Sequence, residues 1–142
     1  CLNLINSITP MKEKFHPNHL HLICKGTCKN PPRTEETLNL WLSSLVEKVR
    51  MKVVGGPTSV YVNDPGNEGV TGTVTLATSH ASLHCWDCDE PPMFQFDIYS
   101  CTNFSTDEVI EHLNIFELIE LEYIKMDRND GFKIIEANKI VF

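Results

Sequence analysis

Apolar and polar positions repeat along the chain with two different periods, and the change from one to the other marks out its elements. Residues 19–25 (HLHLICK) are strand-compatible and stop at Gly26, and Pro31 and Pro32 interrupt the next stretch. This predicts a first strand and then a loop. Thr34 has the character of an N-cap, with Glu35 and Glu36 in the first turn, and Leu38, Trp41, Leu42, Leu45, Val46 and Val49 recur at helical spacing. Burying each of those side chains contributes about 1.5–3 kcal/mol before entropy is subtracted, enough to fix a helix against a sheet.

From Ser59 onward the pattern changes to β-branched runs at residues 60–62, 70–77, 81–86 and 94–99, separated by turn material at 64–69 and 87–92. These predict strands of a mostly antiparallel sheet. A second helix is expected near Ser105, where Ser105 and Glu108 have capping-box spacing and Val109, Ile110, Leu113 and Phe116 supply an apolar face. Residues 118–126 and 132–142 read as two strands joined by a turn at 127–131, although the run from Glu117 to Glu122 (ELIELE) could instead prolong the helix. With no repeat of fixed period, the expectation is one domain over residues 1–142. Its fold class is α+β, a two-layer sandwich of a mostly antiparallel sheet with two helices on one face.

Composition narrows the function classes. The chain has 142 residues, 42% hydrophobic and 22% charged, as expected of a soluble globular domain. A net charge of −7 works against a nucleic-acid partner, which needs clustered Lys and Arg, and tolerates cationic small molecules better. No run approaches the apolar length of a membrane span, and residues 1–10 lack the basic start and long apolar stretch of a signal peptide. We therefore expect no membrane partner, a cytoplasmic location, six cysteines held as reduced thiols, and a trimmed start at Cys1.

Residues 69–101 are unusually polar for strands. They hold Thr71, Thr73, Thr75, Thr78, Ser79, His80, Ser82, His84, Cys85, Cys88, Ser100 and Cys101. Alternation places Ser79 and His80 on opposite faces and His80, Ser82 and His84 on the same one. Taken singly, each would be a surface residue of a wet sheet; their density is what suggests a site. One reading is a zinc site, from Cys24 and Cys28 (C-x3-C) with Cys85 and Cys88 (C-x2-C) beside His80 and His84. A serine hydrolase is disfavoured, because Ser79 lacks the G-x-S-x-G elbow.

The order of residues in GVTGTVTLATSHASLHCWD and FDIYSC resembles the prokaryotic-type, pyruvoyl-dependent S-adenosylmethionine decarboxylases, whose corresponding run is GVSG, a strand, AESHISIHTWPE and DxFTC. HLHLICKG resembles that family's first strand. The resemblance implies a decarboxylase-like sandwich fold and self-cleavage between Thr78 and Ser79. Ser79 would become the pyruvoyl group that captures substrate as a Schiff base, with no external cofactor and no metal. It further implies processing roles for Thr71 and for His84 as the base, and a proton-donor role for Cys101. The substrate would be S-adenosylmethionine, decarboxylated for polyamine synthesis, in a homodimer. Alternatives are a non-processing homologue that binds S-adenosylmethionine or a partner, and a pyruvoyl decarboxylase of arginine or ornithine. Trp86, Phe94, Tyr99, Glu68, Asp87 and Glu90 are the aromatic and acidic residues available for adenine and sulfonium. The sequence departs from the family at Thr78, where the family has Glu, at Thr71, where it has Ser, and in a longer DCDEPP loop.

Overall fold

A computed structural model describes residues 17–142. Its elements in chain order are β1 (Leu20–Cys28), α1 (Glu35–Lys48), β2 (Val53–Val62), β3 (Gly69–Leu76), β4 (Ser79–Trp86), β5 (Met93–Ser100), α2 (Thr106–Leu113), a single 3-10 turn (Asn114–Phe116), β6 (Leu118–Asp127) and β7 (Lys133–Val141). The seven strands form one sheet in the order β2-β3-β4-β5-β1-β6-β7, and every neighbouring pair is antiparallel.

Both helices make the connections that hairpins cannot. β1 and β2 point the same way at separated positions in the sheet, and so do β5 and β6, which flank β1. Parallel steps need a long crossover. These two start from oppositely directed strands and travel in opposite directions across the sheet, so one shared hand of crossing puts both helices on the same face. The α+β two-layer expectation therefore holds.

The core lies between that face and the helices. The five residues at helical spacing on α1, Leu38, Trp41, Leu42, Leu45 and Val46, and Val49 at its C-cap are all buried. They meet the inward positions of the strands, among them Leu22, Val70, Val74, Leu83 and Phe96. Thr34 caps α1 by accepting from the Thr37 N–H at 3.1 Å, and Ser105 caps α2 by accepting from the Glu108 N–H at 3.4 Å. Gly72 lets α1 sit close to the sheet: a Cβ there would stand 2.7 Å from Leu38 Cδ2. Two buried polar side chains fasten neighbouring elements to one another. The His112 ring nitrogen Nε2 donates to the Trp41 carbonyl at 3.0 Å while Trp41 Nε1 donates to the His112 carbonyl at 3.2 Å, pinning α1 to α2. Lys125 Nζ donates to the Phe104 carbonyl at 2.9 Å and lies 4.6 Å from the Phe104 ring centroid.

Some boundaries differ from expectation. β2 begins at Val53, seven residues before the predicted run at Val60, because the pairing continues across Gly55, Gly56 and Pro57 through two register shifts. The ELIELE run extends no helix: Glu117 takes a left-handed φ of 58°, which ends the 3-10 turn and starts β6. The expectations for residues 1–10 lie outside the described residues.

Candidate active site

β3 and β4 form a hairpin closed by the pair Leu76–Ser79, with Ala77 and Thr78 at its tip. Ser79, the first residue of β4, has φ of 145°, a region that side chains rarely adopt. Holding a non-glycine residue there costs about 1–3 kcal/mol and persists only where neighbours enforce it.

The neighbours come from the end of β5. Ser79 stands opposite Ser100. The Cys101 N–H donates to the Thr78 carbonyl oxygen at 2.9 Å. Ser100 is fully buried and its hydroxyl donates to Thr78 Oγ1 at 3.0 Å. Cys101 is half-exposed just past the strand, and its carbonyl accepts from the Asn18 N–H at 2.9 Å. Thr78, Ser79 and Cys101 thus share one end of the sheet.

Thr71 and His84 do not join them. They are a cross-strand pair, with Thr71 Oγ1 3.1 Å from His84 Nδ1, on the face that carries no helix among the described residues. His84 lies five residues beyond Ser79 on the same strand, roughly 17 Å at the usual strand rise. One chain therefore holds two separated groups.

Between these groups on the open face lies a cluster that sequence reading did not assemble. His21 and His80 both approach Asp97 Oδ2 through Nε2, at 2.9 and 3.3 Å. Burial alone would raise the Asp97 carboxyl, but the hydrogen bonds and positive charge of His21 and His80 outweigh it and hold the group below its ordinary value. Arg128 Nη1 stands 3.5 Å from His21 Nδ1, on the side of the ring away from Asp97. Tyr99 is held by this group: the Arg128 guanidinium lies 4.2 Å from its ring centroid, and its hydroxyl is 3.0 Å from His19 Nδ1. Alternation in β4 and β5 signals that His80, Asp97 and Tyr99 share a face; the positions of His21 and Arg128 depend on β1 lying between β5 and β6, which no local pattern encodes.

The aromatic and acidic residues offered for adenine and sulfonium do not converge on one place. Phe94 is fully buried in the core, Trp86 sits at the far end of β4 donating to Asn67 Oδ1 at 2.8 Å, and Asp87 is buried as a loop anchor. The Tyr61 hydroxyl donates to Asp87 at 3.1 Å, and Arg33 Nη1 donates to the Asp87 carbonyl at 3.0 Å. The long DCDEPP loop thus lies beyond Trp86, at the opposite end of β4 from Ser79. Of the departures from the family run, Thr78 alone adjoins Ser79.

The cysteines of the rival zinc reading do not come together as one ligand group among the described residues. Cys24, Cys28 and Cys85 are buried, and burial pushes their thiols up to about 12, 11 and 12 respectively. Among the described residues, the group with three potential ligand atoms in mutual reach is His21, His80 and Asp97, without a cysteine.

Comparison with known proteins bears on this arrangement. The sequence model of the S-adenosylmethionine decarboxylase family matches residues 18–129. None of the curated protein sequences matches the chain. A crystal structure of the adenosylmethionine decarboxylase from Aquifex aeolicus VF5 is similar in fold, with a TM-score of 0.64 at 21% identity over 87% of this chain and 99% of that one. A phage S-adenosylmethionine lyase in complex with S-methyl-5'-thioadenosine aligns over 94% of this chain and 97% of that one, but at 9% identity and a TM-score of 0.40 it is too distant to bear on the fold. Since the matched segment runs from just before β1 to just after β6, taking in both helices and the whole 69–101 run, this chain belongs to the S-adenosylmethionine decarboxylase family.

Proposed function

We propose that the chain cuts its own Thr78–Ser79 bond, converts Ser79 into a pyruvoyl group, and with it decarboxylates S-adenosylmethionine, the step that supplies aminopropyl groups for polyamine synthesis. The observation that carries this reading is the distorted Ser79, φ 145°, directly after a carbonyl that accepts the Cys101 N–H at 2.9 Å.

In the self-cleavage, Ser79 Oγ attacks the Thr78 carbonyl carbon, and negative charge builds on the oxygen already bonded to the Cys101 amide. A preformed donor at such an oxyanion is worth about 2.7–4 kcal/mol of barrier. The C–N bond breaks, leaving Thr78 esterified to the Ser79 hydroxyl and a free amine on residue 79. Loss of the Ser79 Cα proton expels the Thr78 carboxylate, and hydrolysis of the remaining dehydroalanine releases ammonia and leaves a ketone at the start of 79–142. The cut thus yields the chains 1–78 and 79–142.

The hydroxyl of Ser79, with its distorted backbone, fits the formation of this group. When present, the ketone carbonyl system takes up the electrons left by departing carbon dioxide, so no pyridoxal phosphate is required. Cys101, at the same sheet end, holds a proton on Sγ and returns it to the carbon that lost carbon dioxide. Thr71 and His84 are too far along the strand to serve Ser79 of their own chain. We assign them to a second copy, in a homodimer formed through the helix-free face, with His84 of the partner subunit taking the Cα proton. The acidic chain suits a sulfonium substrate, and its described cysteines, all free, suit the reducing cytoplasm.

The test is intact mass of the purified chain. Cleavage gives two products split before residue 79, the second blocked to amine sequencing; Ser79→Ala stays whole. A chain that remains whole after prolonged incubation refutes the reading in favour of a non-processing homologue. Release of labelled carbon dioxide from S-adenosylmethionine, compared with arginine and ornithine, decides the substrate.

A further inference from the structure

A fully buried hydroxyl at the end of β5 has no part in the chemistry above. Ser100 has every hydrogen-bonding position in use: its hydroxyl donates to Thr78 Oγ1 at 3.0 Å and accepts from the Thr102 N–H at 3.1 Å and the Thr102 hydroxyl at 3.1 Å. A serine hydroxyl has one proton and two lone pairs, so with its proton on Thr78 Oγ1 the Thr102 hydroxyl must be the donor to Ser100. The next residue, Cys101, grips the same Thr78 by its carbonyl at 2.9 Å.

Resting on the self-cleavage reading, we propose that Ser100 is a positioning residue for that reaction: with the Cys101 amide it forms a two-point clamp that immobilises residue 78, so that the backbone distortion falls on Ser79. A hairpin tip held by its carbonyl alone relaxes by rotating about the bonds on either side of residue 78, which swings the carbonyl off the Cys101 N–H and lets Ser79 return to an ordinary strand φ. A second anchor on the side chain blocks that rotation. Distortion this unfavourable persists only where surroundings over-determine it, and Ser100 with Cys101 supplies two restraints on the residue before it. The threonine at 78, where the family run has Glu, provides the hydroxyl that this clamp requires.

The experiment is the first-order rate of self-cleavage, followed by intact mass in the full chain, for Ser100→Ala, Thr78→Val and the double variant. Thr78→Val removes the other end of the same bond without touching the core, which covers the case in which Ser100→Ala folds poorly. Each single variant is expected to cleave about 10-fold more slowly, and the double no more slowly than either, because one bond is lost in all three. In the uncleavable Ser79→Ala background, hydrogen exchange at the Cys101 amide should speed up when Ser100→Ala is added. Cleavage within twofold of wild type, rate losses that multiply in the double variant, or unchanged Cys101 exchange each overturn the clamp. A wild-type chain that never cleaves overturns instead the proposed function, and the clamp is then judged by exchange alone.

Discussion

Replacing Ser79 by glycine and by alanine measures the distortion on which the proposed chemistry depends. Neither variant has the hydroxyl, so neither can cleave, and the comparison isolates the backbone. At φ 145° an alanine retains the distortion, at a cost of about 1–3 kcal/mol, whereas glycine adopts that region freely. Glycine carries its own penalty of about 0.5–1 kcal/mol from the larger freedom of the unfolded chain. The difference makes Ser79→Gly more stable than Ser79→Ala by about 1 kcal/mol, or roughly 3 °C in Tm for a domain of this size. At an ordinary strand position the sign is opposite. Equilibrium urea unfolding of both variants, with thermal melts as a second readout, gives the answer. If Ser79→Ala is the more stable by about 0.5 kcal/mol or more, no distortion is stored at residue 79, and the structural basis for self-cleavage fails.

Three further outcomes are expected from the structure. Burial holds His112 below its ordinary value, more than its bond to the Trp41 carbonyl raises it, so below about pH 6.5 the unfolded chain takes up a proton that the native chain refuses. Stability should therefore fall on acidification from that pH, by up to about 1.4 kcal/mol per pH unit, until the native imidazole itself titrates; His112→Gln should flatten this part of the profile of urea midpoint against pH, and parallel profiles would refute the assignment. Gly69→Ala combines a φ of 154° with a Cβ that would overlap the Cys85 carbonyl, so a loss of about 2–4 kcal/mol is expected and a wild-type denaturation midpoint would contradict the fold there. In native protein a disulfide reagent should label Cys88 and Cys101 long before the buried Cys24, Cys28 and Cys85, whose thiols stay protonated; mass mapping showing early modification of Cys24 would disprove that burial.

Much of this protein was written locally. The spacing of Leu38, Trp41, Leu42, Leu45, Val46 and Val49 determined α1 and its buried stripe, Thr34 and Ser105 determined where the helices start, and alternation put His80, Ser82 and His84 on one face. These are legible because capping and side-chain periodicity act within a few residues. The order of residues from 69 to 101 likewise carried the family. Strand order was not local. That β1 runs between β5 and β6 depends on two helical crossovers, and only this placement brings His21 and Arg128 to Asp97 and Tyr99. Register decided the rest: it set Ser79 against Ser100 and Cys101, sent the DCDEPP loop to the opposite end, and left Thr71 and His84 paired with each other far from the serine they accompany in sequence. A motif along a strand records which residues are present, whereas a rigid strand holds residues five apart too far from one another to touch. Which of them meet is settled by the strands beside them.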